Sequence, residues 1–307
     1  MATIVISEFM AETAVDRLRE TYETIYVPTL VDKPAQLLSA ISTARALIVR
    51  NRTQVRGELL QAATNLECVG RLGVGLDNID LAACAARNIS VHPATGANDL
   101  AVAEYVITSA MVLLRQAYDG KAAMLAGAWP RGALMGQELA GKIMGLVGLG
   151  SIAREVAKRA LALGMRVLAV DPNVPKGDSA WEGLGYRTLP ELLAEADVIS
   201  LHVPLVDSTR HLINAKALAK VKSTAIIINA ARGGVVDDAA LAAALKAGAL
   251  GGAALDVFET EPLTAEAANK FAGIDGLILT PHIAGVTHES NDRVSHLVVD
   301  KVLESLG

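Results

Sequence analysis

The chain has 307 residues, too long for one small domain and short for three, so two domains are expected. Hydrophobic residues at 52% and charged residues at 20% exclude a mainly disordered chain, and aromatics at only 3% exclude a stacking platform for single strands. A net charge of −5 excludes a general attraction to polyanions, so neither nucleic acid nor an anionic membrane surface is expected as a partner.

The N-terminus, MATIVISEFMAE, has no basic region before its apolar run and meets Glu8 at once, so no signal peptide is read. Residues 3–7 predict a strand and 11–20 a helix. Strands follow at 46–49, 66–69 and 89–92, with a helix at 81–87. Cys68 and Cys84 fit neither a disulfide framework nor a zinc site and read as reduced thiols of a cytoplasmic protein without a metal. This rhythm argues for a parallel sheet with helices on both faces. Residues 98–115 (NDLAVAEYVITSAMVLLR) are apolar nearly all round, the pattern of a helix buried between domains or subunits. Residues 126–141 contain glycines and a proline without a clean period and read as an irregular connection.

A second series follows, with strands at 142–147, 166–170, 198–201, 224–229, 252–257 and 277–280. Helices are expected at 152–163, 189–194, 214–220 and 237–246. Six strands with crossovers is the count of a complete dinucleotide-binding domain. Residues 287–305 read as one helix that returns to the first domain. Mean hydropathy is +0.37, yet no run reaches the roughly 18 apolar residues of a membrane span. Strands buried on both faces account for the value.

The sharpest local signal is Gly148-Leu-Gly150-Ser-Ile-Ala153, placed between a strand and a helix. Gly148 permits the tight turn, Gly150 lets the backbone approach a pyrophosphate, and Ala153 keeps helix and strand close. The helix start supplies N–H groups and partial positive charge for phosphates. Asp171 ends the next strand, about 20 residues on, where an acid accepts from a ribose 2′-hydroxyl. A carboxylate there repels a 2′-phosphate, so NAD is favoured over NADP.

Three polar residues follow later strands: Arg232 in NAARGGVVD, Glu261 in ALDVFETEP and His282 in LILTPHIAG. Ligands of open parallel sheets sit at the carboxyl ends of strands, so the three can converge. Singly they read as a surface arginine, a helix cap and a core histidine. Together they fit hydride transfer to a 2-keto acid. Arg232 would hold the carboxylate with a forked pair of hydrogen bonds and polarise the carbonyl. His282 would be the acid/base, and Glu261 would orient its imidazole.

In these and other stretches the sequence resembles the D-isomer-specific 2-hydroxyacid dehydrogenases along nearly its whole length. The matching segments are VGRLGVGLDNID (69–80), ATGANDLAVAEY (94–105), GKIMGLVGLGSIAREVA (141–157), LHVPLVDSTRHLIN (201–214), NAARGGVVD (229–237), ALDVFETEPL (254–263) and TPHIAG (280–285). The resemblance implies Arg232, Glu261 and His282 as catalytic residues. It implies NAD contacts at Gly148, Gly150, Ser151, Ile152, Asp171, Pro204, Thr209, Ala230 and Asp256, the last near the nicotinamide amide. It further implies an α/β fold of two doubly wound parallel-sheet domains. A Rossmann domain (96–285) would be inserted into a flavodoxin-like substrate domain (1–95 and 286–307), and subunits would pair as a homodimer through the 98–115 helix.

Within the family the chain looks most like the phosphoglycerate dehydrogenase branch. That likeness implies that Arg50, Arg71 and, from a partner subunit, Arg131 hold a second anionic group, while amides around Val74 and Gly75 meet the carboxylate. Asn51-Arg52 and the loop 92–96 depart from that branch, and Arg52 adds a cation. The readings left open are a dianionic substrate of the 3-phosphoglycerate or 3-sulfolactate type, a hydroxypyruvate or glyoxylate reductase, and an NADH-sensing protein without turnover. Glu261 argues against a formate-dehydrogenase-like enzyme, which pairs Gln with His.

Overall fold

A computed structural model describes residues 3–307. The chain forms two compact units, one running to Asn98 and resuming at Gly285–Gly307, the other Asp99–Ala284.

Among its described residues the first unit holds five parallel strands: β1 (Thr3–Ile6), β2 (Glu23–Tyr26), β3 (Ala44–Val49), β4 (Cys68–Arg71) and β5 (Ser90–Pro93). Their order is β2-β1-β3-β4-β5. Successive side chains point to opposite faces, so Ile4 and Ile6 enter one core and Val5 the other. On the first face the helices Glu12–Arg19 and His288–Leu306 cover the sheet, the latter through Val294, Val298, Val299 and Val302. A Cβ at Gly70 would lie 2.5 Å from Val298 Cγ1, so the helix packs this close to β4 only over a glycine. Helix Pro34–Ile41 covers the other face through Leu37 and Ile41.

The second unit holds seven: β6 (Ile143–Val147), β7 (Arg166–Val170), β8 (Gly185–Tyr186), β9 (Val198–Leu201), β10 (Ile226–Asn229), β11 (Gly252–Leu255) and β12 (Leu277–Leu279). They are ordered β12-β11-β10-β9-β6-β7-β8 and every pairing is parallel. The winding reverses between β6 and β9, which makes their carboxyl ends the topological switch point. Met144 and Leu146 pack under the helices Asp99–Arg115 and Ser151–Ala162. Ile199, Leu201 and Ile227 pack under Leu189–Glu195 and Asp238–Lys246.

The two parallel-sheet units are those the strand pattern requires. Sequence patterning passed over β2, an edge strand of mixed polarity (ETIY) with no fully buried residue, and the two-residue β8. It also passed over the helix Pro34–Ile41, whose signal is a proline at its first position. Among the described residues no helix is long and apolar enough to cross a membrane.

Candidate active site

The second unit sets the residues expected at the site in a row along the carboxyl edge of its sheet. Taken in spatial order they are His282 beyond β12, Asp256 and Glu261 beyond β11, Ala230 and Arg232 beyond β10, Pro204 beyond β9, Gly148 and Gly150 beyond β6, and Asp171 beyond β7.

At one end of the row His282 Nδ1 lies 2.7 Å from Glu261 Oε2. The other oxygen, Oε1, accepts the Phe258 N–H at 3.0 Å, so the carboxylate is fixed before it meets the imidazole. Burial works against the ionised form of Glu261. The bond to His282, that residue's charge, the Phe258 amide and the charge of Arg232 outweigh it and hold the carboxyl below its ordinary value. With Nδ1 engaged, Nε2 is the nitrogen left for a substrate oxygen. His282 adopts φ +55, a left-handed conformation rare for a residue with a Cβ. Its N–H donates to the Asp256 carbonyl at 2.8 Å.

Arg232 sits in the turn that leaves β10. Asn229, 1% exposed at the strand end, shapes that turn: its Nδ2 donates to the Arg232 carbonyl at 2.9 Å and its Oδ1 accepts the Ala231 N–H at 3.1 Å. Gly233 lies so close to Phe258 that a Cβ would fall 1.7 Å from its carbonyl oxygen, which ties the Arg232 turn to the loop bearing Glu261.

The switch point fits a dinucleotide. Gly148 has φ +95, and a Cβ there would lie 2.5 Å from the His202 carbonyl oxygen, so only glycine makes this turn. A Cβ on Gly150 meets nothing within 4 Å: the space over its backbone is open. The helix Ser151–Ala162 begins there with no side-chain cap and no acidic residue in its first turn. Its first amides therefore face outward without an intrahelical partner, as an anion requires. Asp171 accepts the Leu149 and Asn173 N–H groups, both at 2.8 Å, one on each oxygen, which leaves each oxygen a site for a hydroxyl. Thr209 braces the next loop, donating to the Pro204 carbonyl at 2.5 Å and accepting the Val206 N–H at 2.9 Å.

In the first unit, Arg50 and Arg71 are committed to their own surroundings. The Arg50 side chain donates to the Phe9 carbonyl at 2.7 Å and to Asn291 Oδ1, and its guanidinium lies 3.8 Å from the centre of the Phe9 ring. Burial lowers its pKa to about 10, against the pull of Glu8 and Tyr26. Arg71 wraps the loop it precedes, donating to the Gly75 carbonyl at 2.8 Å and the Leu72 carbonyl at 2.7 Å. Among the described residues, the Val74 and Gly75 amides on that loop meet no acceptor. Arg52, two residues on from Arg50, is exposed, in a forked ion pair with Asp32. Arg131 is exposed, between Trp129 and Met135, which are 72% and 80% exposed.

Two residues that sequence patterning did not single out shape these loops. Asn229 carries a legible signal, an Asx turn at a strand end. Glu8 carries none: it is 4% exposed and accepts the N–H groups of Arg50 (2.9 Å), Thr53 (3.0 Å) and Arg52 (3.2 Å), a role that only the fold creates.

Residues 107–284 match the family model described as D-isomer specific 2-hydroxyacid dehydrogenase, NAD binding domain. The chain is 54% identical over 308 residues to a protein named (S)-sulfolactate dehydrogenase from Chromohalobacter salexigens, covering 100% of this chain and 99% of that one. It is 41% identical to a hydroxypyruvate reductase of Thermotoga maritima, over 89% of this chain and 88% of that one. Identity to a D-3-phosphoglycerate dehydrogenase of Archaeoglobus fulgidus is 39%, over 98% of this chain and 56% of that one. Among solved structures, a D-lactate dehydrogenase from Aquifex aeolicus complexed with NAD and lactic acid superposes with a TM-score of 0.84 at 29% identity, covering 99% of this chain and 95% of that one.

Proposed function

The chain belongs to the D-isomer specific 2-hydroxyacid dehydrogenases and is an NAD-dependent oxidoreductase of small 2-hydroxy acids, and from that premise we propose that its substrate is a 2-hydroxy acid with a second anionic group, of the 3-sulfolactate type. One observation carries the choice: 54% identity across the full length to a protein named for sulfolactate. The forked, exposed Arg52 supports it as a cation for a sulfonate.

In this reading the second unit binds the dinucleotide. Gly148, Gly150, Ser151 and Ile152 cradle the pyrophosphate, Asp171 accepts from the ribose, and Pro204, Thr209, Ala230 and Asp256 line the rest of the path. NAD supplies the hydride acceptor and donor. Arg232 clamps the substrate carboxylate and polarises the carbonyl. In the reducing direction His282 gives a proton to the developing alkoxide, and in the oxidising direction it takes the hydroxyl proton. Glu261 keeps the ring oriented. The first unit, residues 1–95 and 286–307 by the sequence reading, binds the substrate. The Val74 and Gly75 amides meet the carboxylate on a turn held by Arg71, and the Arg50–Arg52 turn meets the second anion.

The protein acts in the cytoplasm as a homodimer. Tyr118, Leu125, Trp129 and Met135 project from the segment after the helix Asp99–Arg115, a run of large apolar groups that favours a protein partner. It would carry Arg131 toward the other subunit. Burial and the charge of Glu67 push the Cys68 thiol up to about 12, which suits a reduced core cysteine.

The test is NADH oxidation with sulfopyruvate, phosphohydroxypyruvate, hydroxypyruvate and glyoxylate. The expected result is a kcat/KM for sulfopyruvate at least about tenfold above those for hydroxypyruvate and glyoxylate, the effect of one charge-assisted contact. Better turnover of either uncharged-tail acid would overturn the assignment. It would support the second reading, hydroxypyruvate or glyoxylate reduction, which one observation favours: the Arg50 guanidinium is already bonded to the protein itself.

A further inference from the structure

Asp256 is 1% exposed at the end of β11, and three donors from the loop beyond β12 converge on its carboxylate. Oδ1 takes the Thr280 hydroxyl at 2.6 Å and the Ile283 N–H at 2.8 Å, and Oδ2 takes the Ala284 N–H at 2.8 Å. The Asp256 carbonyl takes the His282 N–H at 2.8 Å. These bonds bracket His282 on both sides and hold its left-handed backbone, which the residue would not keep unaided.

The bracket has an outer member. Tyr105, on the helix Asp99–Arg115, places its hydroxyl 2.7 Å from Thr280 Oγ1. A threonine hydroxyl has one proton and a carboxylate can only accept. The Thr280 proton is therefore spent on Asp256, and Tyr105 must donate to Thr280. Burial, and the charge of Asp256, push the Tyr105 phenol up, so it remains protonated and the direction of the relay is fixed.

We propose that Tyr105 and Thr280 are positioning residues for the acid/base: their relay onto Asp256 sets the loop that holds the His282 ring against Glu261. The inference rests on the reading of His282 as acid/base. It is separate from a cofactor contact by Asp256, since Oδ2 keeps an acceptor site.

The experiment measures kcat, KM for the keto acid and Kd for NADH in Tyr105→Phe, Thr280→Val, the double variant and Thr280→Ser, with thermal melts to check folding. Both single variants are expected to lower kcat about tenfold, equivalent to about 1.4 kcal/mol of transition-state stabilisation, with KM and NADH Kd within about twofold. The double variant is expected to be no worse than Thr280→Val, because the groups act in series, and Thr280→Ser is expected to keep most of the activity. Unchanged kcat in the single variants, losses that multiply in the double variant, or a loss confined to NADH affinity would each overturn the proposal. Should Thr280→Val not fold, Tyr105→Phe decides alone. His282→Ala run alongside separates the two levels: full activity there would remove the acid/base reading itself.

Discussion

Two buried carboxylates, Asp256 in the second unit and Glu8 in the first, solve the same problem with different results. Each accepts three hydrogen bonds from a loop beyond a neighbouring strand. Around Asp256 the donors bracket a single residue, His282, whose Nδ1 is itself held by Glu261. Around Glu8 the donors form a turn, closed by Asn78 on the Arg50 and Thr53 carbonyls, and the turn presents an exposed Arg52 whose guanidinium pairs with Asp32 on the surface. A ring proposed to transfer a proton needs a fixed position, and the bonds on Glu261, Asp256 and Thr280 supply it. The anion site proposed for Arg52 needs a cation that can exchange partners, and an exposed ion pair with Asp32 is weak enough to allow it.

The largest effect expected is at the bracketed residue. His282→Ala should lower kcat about 10²–10⁴-fold, the range for a lost general acid, with NADH still binding by fluorescence titration. Glu261→Gln keeps an acceptor but removes the charge and should cost less, about 10–100-fold. Its pH profile sharpens the comparison. The folded-state pKa of Glu261 is depressed, so the stabilisation it gives is complete above its unfolded value of about 4.3 and is lost as pH falls through the folded value. An acid limb of kcat should appear in that low window in the wild type and be missing from Glu261→Gln. A limb retained in the variant would assign it to another group.

How much of this was legible in the sequence follows the same division. The glycine turn and Asp171 were readable because their spacing is set locally by one strand, one turn and one helix. Arg232, Glu261 and His282 were readable as strand-end polar residues, since parallel strands in sequence order bring their carboxyl ends together. The supports that reach across the sequence were not. Glu8 meets Arg50, Arg52 and Thr53 across more than 40 positions of sequence, and Tyr105 meets Thr280 across 175. No local period reports such a contact. The arginines were read only as holders of a second anion; their further role as braces, with the Arg50 guanidinium donating to the Phe9 carbonyl and that of Arg71 to Gly75 while Arg52 is exposed, is set by the fold.

That distinction is testable at the level of KM. Arg52→Ala should raise KM for sulfopyruvate about tenfold and leave glyoxylate nearly unchanged, because only the former has a second anion to lose. Arg71→Ala should weaken both acids alike, because it frees the turn that carries the Val74 and Gly75 amides. Asp32→Asn should act in the opposite sense to Arg52→Ala, lowering KM for sulfopyruvate by a small factor as the competing carboxylate is removed. If Arg71→Ala were selective for sulfopyruvate and Arg52→Ala were not, the roles of the two arginines would be exchanged.

The smallest expected effect concerns the switch point. His202 follows β9, its carbonyl closes on Gly148, and its Nε2 lies 2.9 Å from Ser200 Oγ. Burial lowers its imidazole pKa to about 4. The unfolded chain takes up a proton near 6.5, whereas the folded one does not until about 4, so folding stability falls as pH drops through that window. The loss should be on the order of 2 kcal/mol by pH 4.5. Thermal melts at pH 7 and pH 4.5 should show a larger fall for the wild type than for His202→Gln, which can still bond Ser200 but cannot charge. NADH affinity of the folded protein should hold over the same interval in both proteins, because folded His202 stays neutral until about pH 4. Equal falls in both proteins would mean that the acid sensitivity lies with the carboxylates, and that the switch point is held by packing alone.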